Sequence, residues 1–168
     1  FYRGVASFDV PLTAGLKGDT IYVYSTTQHA VGQVLVFYRD GAHTGLTTIP
    51  LVTEADGMPG APIPREFTRL HEVHIAVKGM LIQAGLYERE AQAMLDTWRD
   101  DWFEDGLRLL FVMPRAVTDE VLPLRIEPAP TELTRVMVGR LEIVTPAIRD
   151  ELLNAIEAYR SGVEQDRV

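Results

Sequence analysis

The order of apolar and polar positions predicts strands in the first third of the chain. Residues 20–24 are rich in β-branched and aromatic side chains, and residues 31–38 are almost continuously apolar, which is typical of a strand buried on both faces. Asp40 and Gly41 form a turn signal that predicts a hairpin onto residues 44–52. These spacings predict a small antiparallel sheet or a partial sandwich.

Helical periodicity follows this region. A first helix is predicted to begin at Pro64 or Arg65 and to end before Gly85, because apolar residues recur there at spacings of three and four. A second helix is predicted from Tyr87 to Asp105, with acidic residues in its first turn, where the helix dipole favours them. The short link at Gly85 predicts that the two helices form a hairpin.

The last third of the chain returns to strands and ends in a helix. Residues 107–113 are predicted to form a buried strand, and residues 134–144 a further strand with a bulge at Gly139. Thr145–Pro146 predicts the start of a final helix, and Gly162 predicts its end. The pattern as a whole predicts an α+β fold, in which an N-terminal antiparallel β-sheet or partial sandwich is followed by a helical hairpin, further strands and a C-terminal helix.

One segment has the composition of a boundary. Residues 53–64 contain three prolines and two glycines. The predicted organisation is therefore a β-rich region over residues 1–52, a linker or long loop over residues 53–64, and an α+β region over residues 65–168. A single domain that includes all of these regions is the alternative.

Composition and charge exclude several classes of function. The 168-residue chain is 46% hydrophobic, which is enough for a sizeable core, and its formal net charge is −8. No basic patch offsets this charge, so no nucleic-acid partner is predicted. The absence of cysteine excludes disulfides and thiolate-ligated metals. No apolar run reaches the roughly eighteen residues that a membrane-spanning helix requires.

Two histidines form one candidate metal site. His71 and His74 lie three residues apart on the first predicted helix, within the sequence HEVH. The helical zinc motif requires histidines four residues apart, so the spacing does not match it. The favoured interpretation places His74 on the apolar face of the first predicted helix and His71 at the edge of that face, without a metal. A metal held by this pair is the alternative.

A run of carboxylates forms a candidate catalytic site. Asp96, Asp100 and Glu104 recur every four residues and therefore share one helical face, with Asp101 beside them. Paired carboxylates act as general acid and base when one of them is desolvated. The favoured interpretation is a solvated helix face, and a catalytic cluster is the alternative. Because the chain contains neither a glycine-rich phosphate loop nor a nucleophile elbow, no cofactor is predicted.

Three stretches between Gly85 and Pro146 are distinctive, namely TWRDDWFEDG, VMPRAVTDEVLPL and VGRLEIVTP. With them, this segment resembles a family of uncharacterised bacterial proteins that are exported. The resemblance implies a bacterial origin and a periplasmic or extracellular location, and it implies no activity and no catalytic residue. The chain begins at Phe1 rather than Met, as expected of a chain that has lost a signal peptide or of an excised domain.

These observations favour a non-enzymatic protein-interaction or structural domain of an exported bacterial protein. The partner is expected to be a protein, either a second copy or another chain, which binds the exposed β region or the proline-rich segment Glu127–Pro130. One alternative is a hydrolase that uses the carboxylates or the histidine pair. A further alternative is a glycan-binding module that uses Tyr22, Tyr24 or Tyr38.

Overall fold

The computed structural model describes residues 8–50, 52, 53, 55 and 57–165. Within these residues the order of elements starts with five strands and ends with a helix, and helices and strands are mixed between them. The elements are β1 (Leu12–Lys17), β2 (Thr20–Ser25), β3 (Val34–Asp40), β4 (His43–Ile49), β5 (Gly60–Pro62), α1 (Leu70–Gln83), α2 (Glu88–Trp102), β6 (Gly106–Val112), α3 (Arg115–Val121), β7 (Val138–Glu142) and α4 (Pro146–Gln165).

The strands form two antiparallel sheets. The smaller sheet has the order β1-β2-β5, and the larger sheet has the order β4-β3-β6-β7. The pairing of β3 with β6 places Val34 opposite Phe111. The two regions that the segment of residues 53–64 separates in sequence therefore share one sheet. Part of that segment is itself strand β5, which pairs with β2.

The larger sheet is buried on both faces. Val34 and Val36 of β3 point towards the smaller sheet, whereas Leu35 and Phe37 point towards the helices. Strand β6 follows the same alternation, with Leu109 on the first face. The result is three layers, in which the larger sheet lies between the smaller sheet and the α1–α2 hairpin. The predicted α+β fold is confirmed, including the N-terminal antiparallel strands, the helix pair and the C-terminal helix.

Helix α1 begins at Leu70, and the prediction that it begins at Pro64 or Arg65 is wrong. The residues before it run beside strand β4. The main-chain N–H of Thr68 donates to the carbonyl of Thr44 at 2.7 Å, and the Thr44 hydroxyl donates to the carbonyl of Thr68. These hydrogen bonds keep the segment out of the helix, because a helical turn would redirect the same groups.

Three further predicted boundaries are wrong. Helix α2 ends at Trp102 instead of Asp105, and α4 continues beyond Gly162 to Gln165. Strand β7 is shorter than predicted, and Gly139 lies in regular register opposite Phe111 instead of in a bulge. A Cβ atom at Gly139 would lie 2.3 Å from Cζ of Phe111, so glycine is required there by the close approach of the aromatic ring.

Candidate functional site

Three arginine side chains converge on the C-terminal end of helix α2. Arg39 of β3, Arg108 of β6 and Arg140 of β7 all donate hydrogen bonds to main-chain carbonyls within residues 101–105. These carbonyls lack partners inside the helix, and the helix dipole makes this end partly negative. This arginine cluster therefore neutralises and hydrogen-bonds the end of α2 with side chains from three strands.

Arg108 is the buried member of the arginine cluster, and its side chain is 1% exposed. Its Nη1 donates to the carbonyl of Trp102 at 3.1 Å, and its Nη2 donates to the carbonyl of Asp105 at 2.7 Å. Nε lies 3.3 Å from Oε1 of Glu142, which is an ion-pair distance without hydrogen-bond geometry. Burial lowers the pKa of Arg108. The guanidinium also lies 6.0 Å from the ring centroid of Phe37.

Arg140 joins the cluster to two carboxylates. Its Nη2 donates to Glu104 at 2.8 Å, and its Nε donates to Glu142 at 2.5 Å. Burial alone would lower the pKa of Arg140, but these hydrogen bonds raise it above its usual value. The hydrogen bond from Arg140 in turn lowers the pKa of Glu104. Glu104 is therefore held as a carboxylate.

An open cleft of about 400 Å³ lies beside the arginine cluster. Its wall carries both signs of charge, from arginines and acidic residues around the aromatic ring of Phe103. The lining residues are Arg39, Leu70, Arg99, Asp100, Phe103, Glu104 and Asp105.

The two predicted metal-binding histidines have different surroundings. His74 is half-buried, and its ring centroid lies 4.5 Å from that of Phe103. Burial is the largest cause of its lowered pKa, and the nearby Arg99 adds to this effect. His71 is exposed on α1. Among the described residues, no group of three or more histidine, aspartate or glutamate side chains is placed to hold one metal ion.

The four predicted catalytic carboxylates are only partly brought together. Asp100 and Glu104 share the wall of the cleft. Asp96 instead accepts hydrogen bonds from Arg99 and from a neighbouring glutamine of α2. Asp101 is half-buried, and its carbonyl accepts a hydrogen bond from the arginine cluster. General acid catalysis requires a raised pKa, whereas that of Glu104 is lowered, so this geometry suits the anchoring of α2 better than proton transfer.

The three predicted glycan-binding tyrosines lie on different sheets. Tyr22 and Tyr24 alternate with buried residues of β2 and therefore point outwards from the smaller sheet. Tyr38 lies on β3 of the larger sheet, where it packs against the core and lies 6.3 Å, ring to ring, from His43.

Helix α4 carries an apolar stripe that the rest of the described chain does not cover. The stripe consists of residues at helical spacing, and every side chain from residue 149 to residue 161 is exposed. Leu152 is 53% exposed, Ile156 46% and Tyr159 74%. Its members are Ile148, Leu152, Ala155, Ile156 and Tyr159. Monomeric proteins rarely leave such a face in water, and contiguous apolar surface marks interaction sites.

Strand β7 has an unpaired outer edge. The N–H of Ile143 donates to Leu107, and the carbonyl of Met137 accepts from Met113, so odd-numbered residues of this segment face β6. Because main-chain groups alternate along a strand, those of the even-numbered residues 138, 140 and 142 face away from β6. No main-chain partner lies on that side within the described residues. We call this side the free edge.

The proline-rich segment that was predicted as a contact surface is also exposed. Residues 122–134 are exposed throughout and contain no helix or strand. Arg135 donates to the carbonyl of Leu122, and Arg115 donates to the carbonyl of Leu133, so arginines hold both ends of the segment. The exposed segment Glu127–Pro130 lies between these two anchors.

No protein-family model, curated protein or solved structure matches the chain. No helix among the described residues is long and apolar enough to cross a bilayer. Sequence reasoning missed the arginine cluster, although one signal of it was present. Arg108 interrupts an otherwise apolar strand between Leu107 and Leu109, and a buried charge requires a partner.

Proposed function

We propose that the chain is a non-enzymatic protein-interaction domain of an exported bacterial protein, and that helix α4 is its principal contact surface. The observation that carries the proposal is the exposed apolar stripe of α4. Leu152 and Ile156 are each about half exposed on a helix whose opposite face is polar. A partner that covers such a stripe removes apolar area from water, at a gain of roughly 25 cal/mol per Å².

The charged groups at the end of α2 support this proposal, since they hold the fold. The carboxylate Glu104 and the buried Arg108 take part in the network at the end of α2. The location in an exported protein follows from the resemblance of the segment Gly85–Pro146 to exported bacterial proteins.

Site-specific photocrosslinking tests the proposal. A photoreactive amino acid at Ile156 lies in the apolar stripe, and the same amino acid at Glu157 lies one residue on, about 100° around the helix. With the chain produced in its source bacterium, we expect a discrete crosslinked protein from position 156 and none from position 157. Equal crosslinking at both positions, or none at either, would contradict the proposal.

A further inference from the structure

We propose that the partner is a second copy of this chain, which pairs with the free edge of strand β7 in an antiparallel arrangement centred on Leu141. The inference deepens the proposed function, on which it rests, by naming the partner. It starts from the proximity of two uncovered surfaces. Strand β7 ends at Glu142 and α4 begins at Pro146, so the free edge and the apolar stripe are neighbours along the chain.

The free edge is complementary to itself in one register. When Arg140 lies opposite Glu142 of the second copy, Val138 lies opposite Val144 of that copy. A twofold axis at Leu141 repeats both pairs, which gives two opposite-charge pairs flanked by two apolar pairs on one face of the sheet. Within each copy Arg140 already donates to Glu142 and Glu104, so the contact places the bonded charges of the two copies side by side with opposite signs facing each other. Val144 is 55% exposed, so its side chain is available for this pairing.

The main chain supports the same register. In this register the outward-facing groups of residue 140 meet those of residue 142 of the second copy, as an antiparallel ladder requires. The two neighbouring in-phase registers place Arg140 opposite Arg140 or Glu142 opposite Glu142, and like charges directly opposite each other are destabilising. Charge and hydrogen-bond direction therefore select the same arrangement. It closes as a dimer with one symmetric contact and continues the four-stranded sheet into a second copy.

Single-cysteine crosslinking tests this register, because the chain contains no cysteine. In the proposed dimer, Leu141→Cys places two thiols opposite each other across the twofold axis, within disulfide range. The matched control is Val144→Cys, which is more exposed but lies six residues, or roughly 20 Å, from its own copy across the axis. Under mild oxidation we expect a disulfide-linked dimer from Leu141→Cys and little from Val144→Cys.

The unmodified chain supplies the second measurement. We expect it to sediment as a dimer, and Val144→Pro to raise the dimer dissociation constant at least about tenfold, since proline removes an outward N–H. Val144→Thr keeps that N–H and is expected to remain dimeric, and circular dichroism checks that both variants fold. A monomeric wild-type chain would overturn the inference. A larger yield of disulfide-linked dimer from the more exposed Val144→Cys than from Leu141→Cys would also overturn it. The proposed function would survive that result if position 156 still crosslinked to a different protein.

Discussion

The buried Arg108 offers the sharpest test of how the end of helix α2 is held. Arg108→Ala removes two hydrogen bonds to main-chain carbonyls and the packing of the guanidinium beside Phe37. A hydrogen bond from a charged group contributes about 1.5–3 kcal/mol, and the two carbonyls would remain without a donor. Glu142 is 47% exposed, so its charge can be hydrated after the substitution. The loss of this ion pair therefore adds little to the loss of stability. We expect a loss of about 3–5 kcal/mol in the free energy of unfolding.

The matched control is Arg125→Ala. The Arg125 side chain is 88% exposed and pairs with an exposed glutamate, so its removal is expected to change stability by less than about 0.5 kcal/mol. Urea unfolding followed by tryptophan fluorescence measures both variants, since Trp98 and Trp102 lie near the end of α2. Unfolding of Arg108→Ala at the same urea concentration as Arg125→Ala, with an unchanged m-value, would contradict this expectation.

Two further predictions concern single positions in α1 and β7. The folded-state pKa of His74 is lowered, chiefly by burial, so the unfolded chain binds its proton more readily, and stability is lost as the pH falls below the unfolded value of about 6.5. His74→Gln should therefore flatten the pH dependence of the urea midpoint between about pH 7 and pH 5, and a slope equal to that of the unmodified chain would contradict this. Gly139→Ala should cost about 1–3 kcal/mol, because the new Cβ meets the ring of Phe111. Gly79→Ala has open space inside a helix and should stabilise by roughly 0.5–1 kcal/mol, and a harmless Gly139→Ala would refute the packing argument.

Local pattern predicted those elements whose burial is uniform along the strand or helix. The apolar runs at residues 31–38 and 107–113 correspond to β3 and β6, which lie at the centre of the larger sheet. Such strands can be predicted from sequence because both faces are buried, so most of their positions are apolar. The start of α1 could not be predicted, since the hydrogen bonds that hold Thr68 outside the helix come from Thr44, more than twenty residues earlier.

The network at the end of α2 shows the same dependence on tertiary structure. Helical spacing predicted Asp96, Asp100 and Glu104 on one face, but α2 ends at Trp102, so Glu104 lies beyond the helix. The partner of Glu104 is Arg140, 36 residues away, and Arg140 reaches it only because β7 pairs with β6. Whether a cluster of carboxylates is catalytic or structural is decided by such partners, because they set the direction of each pKa shift.

The sequence pattern of helix α4 predicts its apolar face but not what that face contacts. The spacing of apolar residues in α4 predicts an apolar stripe, and the stripe is present. Its burial against the core of the same chain does not follow from this spacing. Most helical stability in proteins comes from packing of the apolar face and not from helix propensity. Because the stripe meets no core among the described residues, we expect α4 to gain stability when a partner packs against it. The proposed partner is a second copy, because valine, arginine and glutamate alternate along the neighbouring free edge in an order that is complementary to itself.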